Sequence, residues 1–485
     1  MPSRNLSLRI LLVLCTTAPL LAADPRGHPP NFDAAHHPTR VLVRFKPGTT
    51  EGTRQGAHAT ALTQNVLQEY SVVPGLQLVE VPNGQVPAAV NAYRNNPNVL
   101  YAEPDYVIHL AAVPNDAYFS NLWGLHNTGQ TVNGDTSTHP GADIKAPEAW
   151  DKWTGDPNFR IAVLDTGVNY FHQDLQANIW TNEQELNGQS GYDDDLNGYI
   201  DDIHGYNFAS GYANPSDPLD DHVDGHGTLV AGIIGAVGNN AVPGGFNGGV
   251  VGVNWRCKIV ALKVLDSNGD GYVSALVNAM RYVIKNNIRL SNASVGFCEV
   301  GVDSEALYEL IQASQTEVIG GHLLVAAAGN VPSPNNCPSV RDNDLSPHYP
   351  ASYDLQNVIS VAATNNDDEL ASFSHYGLTT VDLGAPGVNI YSTLYPGINT
   401  YAFKSGTSFA APHVTGVVAL VMSRYPNLTW AQVRNRVLWT VRPLDSLRNL
   451  TATGGMVNAL AAVWDCNGNG IDDACDVSCS AEHVP

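Results

Sequence analysis

Apolar and polar positions follow two regimes along this chain. From Arg40 to Leu110 the period switches every few residues. VLVRFK alternates as a strand does, Glu51 to Tyr70 suits a helix, LQLVEV is a second strand, VPAAVNAYRNN a second helix, and VLYAEPDYVIHL a closing strand. This pattern predicts a small α+β unit over residues 40–112. Further on, short apolar runs read as buried strands (Ile161 to Leu164, CKIVALKVL, LSNASVGF, HLLVAAAGN), and DGHGTLVAGIIGAV and SGTSFAAPHVTGVVALVMSRY read as apolar, buried helices. They predict a larger α/β domain over residues 113–464. At the start, Arg4 and Arg9 precede an apolar run from Ile10 to Ala23, shorter than the ~20 residues of a membrane span. It reads as a secretory signal peptide, residues 1–23, with residues 24–39 as a linker and a secreted product. No other window is apolar and long enough to cross a bilayer, so no membrane partner is expected.

Three of these segments carry candidate chemistry. The strand Ile161 to Leu164 runs into Asp165-Thr166-Gly167, which sets a carboxylate at the C-terminal edge where α/β sheets hold their active sites. His226, between two glycines, opens one apolar helix and brings an imidazole to the same edge. Ser408 opens the other, with Pro412 near the helix start where a lost N–H costs least. Taken singly, these are a turn former, a structural histidine and a helix cap. Taken together they answer a chemical need. A serine hydroxyl is a weak nucleophile, a histidine must accept its proton, and a carboxylate must hold that imidazole in the right tautomer.

Charge narrows the partners. Lys+Arg number 24 against Asp+Glu 46 in 485 residues, a net charge of −22 that repels phosphate backbones and disfavours nucleic-acid binding. The acids are 33 Asp and only 13 Glu, and Asp is the poorer helix former, so the excess belongs in loops.

The motifs Asp165-Thr166-Gly167, His226-Gly227-Thr228-Leu229-Val230-Ala231-Gly232 and Gly406-Thr407-Ser408-Phe409-Ala410-Ala411-Pro412-His413-Val414 resemble those of the subtilisin-like serine peptidases, in the order Asp, His, Ser that subtilisin shows. The resemblance runs from about Asn115 to Val463 and takes in NLWGLHNTGQ and GGMVNALAAV. Leu229 and Phe409 depart from the commoner His and Met at non-catalytic positions. The resemblance implies a doubly wound, mostly parallel sheet and a secreted serine endopeptidase, monomeric when mature, that acts on protein and peptide substrates. It assigns Asp165, His226 and Ser408 as the triad and Asn330, after HLLVAAAG, as side-chain donor to the oxyanion. It places substrate between Ser294-Val295-Gly296 on one side and Gly269-Asp270-Gly271, followed by Tyr272, on the other, as an added strand. The unit before it resembles the ferredoxin-like inhibitory pro-domains of this family, which implies an intramolecular inhibitor cut away between about Ala111 and Asp116. Two other readings remain: a processing peptidase selective for basic sites, and an inactive adhesion or binding protein; Asp342 and Asp344 are either selectors of basic side chains or solvent-facing turn residues.

Calcium accounts for much of the aspartate. Asp193, Asp195, Asn197, Tyr199 and Asp201 follow the alternate-position loop spacing with Gly198 at the sixth place, and Asp465, Asn467, Asn469, Ile471, Asp473 and Asp476 repeat it with Gly470. The first window resembles an insertion found in some subtilases. The second, in the tail of residues 465–485, resembles a single thrombospondin type 3 repeat. Asp174 matches a further calcium ligand of the family. Six cysteines follow the signal segment, which leaves 15 pairings. Cys257 starts one strand and Cys298 ends another, so in parallel neighbours they stand ~25 Å apart, too far for a bridge. Cys298 with Cys337 is the preferred pair.

Overall fold

The computed structural model describes residues 30, 32, 36–107, 112–209, 211, 214–298, 302–332 and 339–464. The signal segment, the tail of residues 465–485 with its calcium-type spacing, and Cys337 lie outside the described residues. The chain divides between residues 110 and 111 into two compact units.

The first unit is a four-stranded antiparallel sheet of order β2-β3-β1-β4. Its elements are β1 (His36–Phe45), α1 (Glu51–Thr60), β2 (Asn65–Tyr70), β3 (Leu76–Glu80), α2 (Val86–Arg94) and β4 (Val99–Tyr106). This is a βαββαβ, ferredoxin-like arrangement. Alternate residues of the central strands, Val41, Val43, Phe45 and Val79, pack under Val90 and Tyr93 of α2. The helix expected over Glu51 to Tyr70 is shorter. It ends at Thr60, Leu62 turns the chain at φ 55°, and residues 65–70 pair with β3 instead. Because β2 is an edge strand exposed along nearly all its length, its side chains bear no burial pattern that would mark a strand.

The second unit is built on a nine-stranded sheet of order β14-β15-β11-β10-β9-β8-β5-β7-β6, parallel except for the β14–β15 pair. The strands are β5 (Gly155–Asp165), β6 (Gly205–Asn207), β7 (Arg256–Lys263), β8 (Leu290–Ala293), β9 (Leu323–Ala327), β10 (Val358–Thr364), β11 (Leu383–Pro386), β14 (Arg442–Pro443) and β15 (Gly455–Met456). A separate hairpin joins β12 (Ile390–Thr393) to β13 (Tyr401–Lys404). Short helices α3 (Ala146–Trp150), α4 (Glu183–Asn187) and α10 (Ala459–Val463) accompany the longer α5 (His226–Gly235), α6 (Val273–Lys285), α7 (Glu305–Glu317), α8 (Thr407–Arg424) and α9 (Trp430–Trp439).

The pleat of β5 divides the core. Ile161 and Val163 face the layer that holds α5 and α8, while Ala162 and Leu164 face α6 and α7. Helix α8 lies across the middle of the sheet and is buried on nearly every face, which explains its lack of a polar stripe. The chain runs from β5 to β7 on one side of β5, then crosses to β8 on the other. The C-terminal ends of β5, β7, β8 and β9 therefore open as a crevice. Among the described residues no helix is long and apolar enough to cross a membrane.

Candidate active site

A cleft of about 620 Å³ lies at that edge, lined among others by Thr166, His226, Gly269, Asp270, Gly271, Ser294, Val295, Gly296, Gly329, Asn330, His348 and Ser408. Tyr272 stands exposed at the head of α6 and is not part of the lining. Asp165 ends β5, fully buried, and His226 begins α5. Asp165 Oδ1 accepts the Thr166 backbone N–H at 2.8 Å and meets His226 Nδ1 at 2.7 Å. With Nδ1–H donated there, Nε2 is left as the basic nitrogen. Burial alone would lower the imidazole pKa. The charge and hydrogen bond of Asp165, followed by the charges of Asp220 and Asp224, outweigh it and leave His226 above its usual value.

A second buried carboxylate ties the two motif turns together. Asp220 Oδ1 accepts from Thr166 Oγ1 at 2.9 Å and from the His222 N–H at 3.1 Å. Its Oδ2 accepts from the Thr228 N–H at 3.0 Å and Thr228 Oγ1 at 2.6 Å. Thr166 Oγ1 in turn accepts the Gly227 N–H at 2.9 Å. Asp220 thus holds the turn that bears Asp165 against the helix start that bears His226.

The nucleophile end is braced by the Pro412 that interrupts α8. Proline has no N–H to give the carbonyl four residues back, and Ser294 Oγ donates to that Ser408 oxygen instead, at 2.7 Å. The Ser408 hydroxyl points the other way, donating to Ser294 O at 3.2 Å. Asn330 Oδ1 accepts both the Thr407 N–H at 2.9 Å and Thr407 Oγ1 at 3.2 Å, which fixes the amide so that its NH₂ is free to serve the cleft. Gly329 N–H completes the brace with a 3.2 Å bond to Thr407 Oγ1. Leu229 is buried in the core, and the Phe409 ring lies 5.3 Å from that of His226.

Asp342 and Asp344 do not line the cleft. Asp344 Oδ1 takes the hydroxyls of Thr379 and Thr380 at 2.8 and 2.7 Å, and Asp342 Oδ1 takes the Asp344 N–H. Cys257 is free and buried, its thiol pushed up to about 12 by burial. Cys298 is disulfide-bonded.

The acidic loop departs from the spacing template. Asp193 accepts the N–H groups of Asn197 and Gly198, Asp201 accepts that of Gly191, and Tyr199 packs among Tyr206, Phe208 and Tyr282. The carboxylates that converge are Asp195, Asp202 and Glu185, the last contributed by α4, with oxygens within 4.8 Å of one another. Asn197 Nδ2 donates to both aspartates of that trio. At Asp174 the carboxylate accepts from Asn240 Nδ2 at 2.9 Å and the Val250 N–H at 2.7 Å. Burial raises it to about 8 and the neighbouring Asp116 to about 6. Asp116 Oδ1 and Asn240 Oδ1 are buried beside it with no hydrogen-bond partner. Sequence spacing signalled neither Glu185 nor Asp116.

Comparison with known proteins gives this geometry a setting. Residues 156–460 match the model of the subtilase family, and residues 23–105 that of the fervidolysin N-terminal prodomain. The chain is 38% identical over 315 residues to subtilisin-like protease 1 of Plasmodium berghei (strain Anka), which covers 63% of this chain and 49% of that protein. It is 36% identical over 345 residues to a thermophilic serine proteinase of Bacillus sp. (strain AK1), covering 71% and 68%. To subtilisin J of Geobacillus stearothermophilus it is 32% identical over 374 residues, covering 77% and 78%. The chain spans about half the length of the Plasmodium relatives. A solved structure of a protease from Pseudoalteromonas arctica PAMC 21717 superposes with a TM-score of 0.54 at 26% identity, over 73% of this chain and 99% of that one.

Proposed function

The chain belongs to the subtilase family, and from that premise we propose that it is a secreted serine endopeptidase, made as a zymogen that processes itself. The observation that carries this reading is the 2.7 Å Asp165–His226 bond at the edge of a cleft that also holds Ser408 and Asn330. On substrate binding the Ser408 hydroxyl leaves Ser294 O and gives its proton to His226 Nε2 as Oγ attacks the scissile carbonyl. The imidazolium so formed is held by Asp165. The oxyanion takes the Asn330 amide and the Ser408 N–H, and His226 returns the proton to the leaving amine. Water then repeats the sequence on the acyl-enzyme. Peptide lies as an added strand between residues 294–296 and 269–271, where Gly269, Gly271 and Gly296 permit close backbone approach. Among the described residues Asp270 alone supplies a carboxylate to the cleft lining.

The N-terminal unit acts in this reading as an intramolecular inhibitor, removed by a cut between about Ala111 and Asp116. Ser408→Ala should accumulate as the uncut chain, and a mature-sized product from that variant would refute self-processing. Cys298 pairs with Cys337.

Calcium is the cofactor. The orphaned buried oxygens of Asp116 and Asn240 beside Asp174, and the convergent oxygens of Glu185, Asp195 and Asp202, are donor sets suited to a hard divalent cation. Bound there, it would neutralise clustered carboxylates and tie surface loops to the core. The catalytic steps run through Asp165, His226, Ser408 and Asn330, with the Ser408 backbone N–H.

A further inference from the structure

Strands β8 and β9 are neighbours in the sheet, and the segments that continue them carry Ser294 and Asn330. Two glycines mark where something is lodged between these segments. A Cβ on Gly296 would collide with the His348 ring, and one on Gly329 would come to 3.0 Å from His348 Cδ2. The imidazole therefore occupies the space between the wall that receives the Ser408 hydroxyl and the wall that bears the oxyanion donor. Its backbone is held in place: Phe297 and Tyr349 exchange N–H···O bonds of 2.8 and 2.9 Å, and the His348 N–H donates to Ser352 Oγ at 3.1 Å.

Behind it stands a second histidine with a clear structural duty. Asn343 Nδ2 donates to Ala328 O at 2.8 Å, so its Oδ1 accepts from His375 Nδ1, also at 2.8 Å. The two rings lie 5.9 Å apart at 78°. His348 has no such partner. Its Nδ1 is buried without a hydrogen bond although the residue lines the cleft. Burial, then the charge His375 would carry, lowers it to about 3, so near neutral pH the ring is uncharged. Asp270, the carboxylate of the lining, belongs to the β7 side.

We propose that His348 selects the substrate side chain on the residue that supplies the scissile carbonyl, and that the favoured side chain ends in a carboxamide. This rests on the peptidase reading above. Nδ1 is walled in against Gly296, so Nε2 is the nitrogen left to a ligand; it donates in one tautomer and accepts in the other, and a carboxamide, which carries both complements, can pair with it in either. An aliphatic or aromatic side chain covers the ring and leaves a nitrogen unpaired. Among the described residues a cation finds no carboxylate between Gly296 and Gly329, and a carboxylate can use only the single N–H.

The test is a set of peptides identical except at that residue, carrying Gln, Asn, Leu, Phe, Lys or Glu, cut by the processed wild-type enzyme and by His348→Leu. Hydrolysis that Ser408→Ala abolishes establishes the peptidase reading separately, and its absence would overturn that reading. In the wild type, kcat/KM for Gln or Asn should exceed that for Leu by at least about tenfold. In His348→Leu the ratio should fall to about one or below. Preference for Leu, Phe, Lys or Glu in the wild type, a measurement that needs no variant to fold, would overturn the assignment. So would a carboxamide preference that survives in His348→Leu.

Discussion

Replacing Asp220 by Asn separates a brace from a bystander. The carboxylate is fully buried and accepts four hydrogen bonds, two on each oxygen, each pair comprising one threonine hydroxyl and one backbone N–H. An amide keeps one oxygen and turns an NH₂ toward the other pair. The threonine hydroxyl of that pair can rotate to accept, but the backbone N–H of Thr228 or His222 cannot, and one stranded buried donor costs ~1–3 kcal/mol. Removing a buried negative charge offsets part of this, since burial already holds the Asp220 carboxyl above its usual range. At ~2.1 cal/mol/K per residue, a domain of about 350 residues shifts by roughly 1.4 °C per kcal/mol, so the melting temperature should drop by about 1–4 °C. The diagnostic readout is the pH profile. His226 is faced by Asp165, Asp220 and Asp224, with Asp224 paired to Lys404 at 2.8 Å and His222 nearby, and each aspartate raises the imidazole. Losing the Asp220 charge lowers the pKa of His226. The base must be neutral to act, so the acid limb of kcat/KM should move to lower pH while peak activity falls. An acid limb that stays in place or moves to higher pH would refute the charge contribution assigned to Asp220, since a brace acting through its hydrogen bonds alone would lower stability without shifting it.

Asn330→Leu should lower kcat by about 10²–10³ with KM nearly kept, a magnitude measured on subtilisin itself, because the amide meets the oxygen only as charge develops. A KM-dominated loss in steady-state kinetics would contradict that. Ser294→Ala leaves the Ser408 carbonyl without the donor that stands in for the Pro412 N–H, and should cost ~1 kcal/mol in denaturant unfolding together with lower kcat; no change in either would show the brace to be idle. EDTA should lower the melting temperature and calcium restore it, with Asp174→Asn and Glu185→Gln each removing part of that shift; a melting temperature indifferent to EDTA would exclude calcium at both sites.

What could be read from the chain was whatever lay contiguous in it. Asp165, His226 and Ser408 sit within short motifs at the heads or ends of apolar elements, and a buried strand or helix advertises itself by its hydrophobic run. The contacts that position them are not contiguous. Asp220 acts on Thr166 from 54 residues away and Thr407 on Asn330 from 77, and a Thr or Asp in a loop has no local signature of such a role. The acidic loop shows the same limit. Its alternating spacing singled out Asp193 and Asp201, but those carboxylates satisfy their own loop's N–H groups, while Glu185 arrives from the preceding helix. His348 lies in a segment whose spacing carries no motif, and only the fold shows it between Gly296 and Gly329. The N-terminal unit was legible in class yet not in its edge strand, since an exposed β2 buries no face.

The central claim is that Ser408 is a nucleophile activated by His226 and oriented by the Asp165–His226 pair. Intact mass and peptide mapping after treatment with a serine-directed fluorophosphonate test it most directly. One adduct on Ser408 in the processed wild type, lost in Ser408→Ala and strongly slowed in His226→Ala and Asp165→Asn, is the predicted result. An unlabelled wild type, an adduct on another serine, or labelling of Ser408 at an unchanged rate without His226 would contradict it.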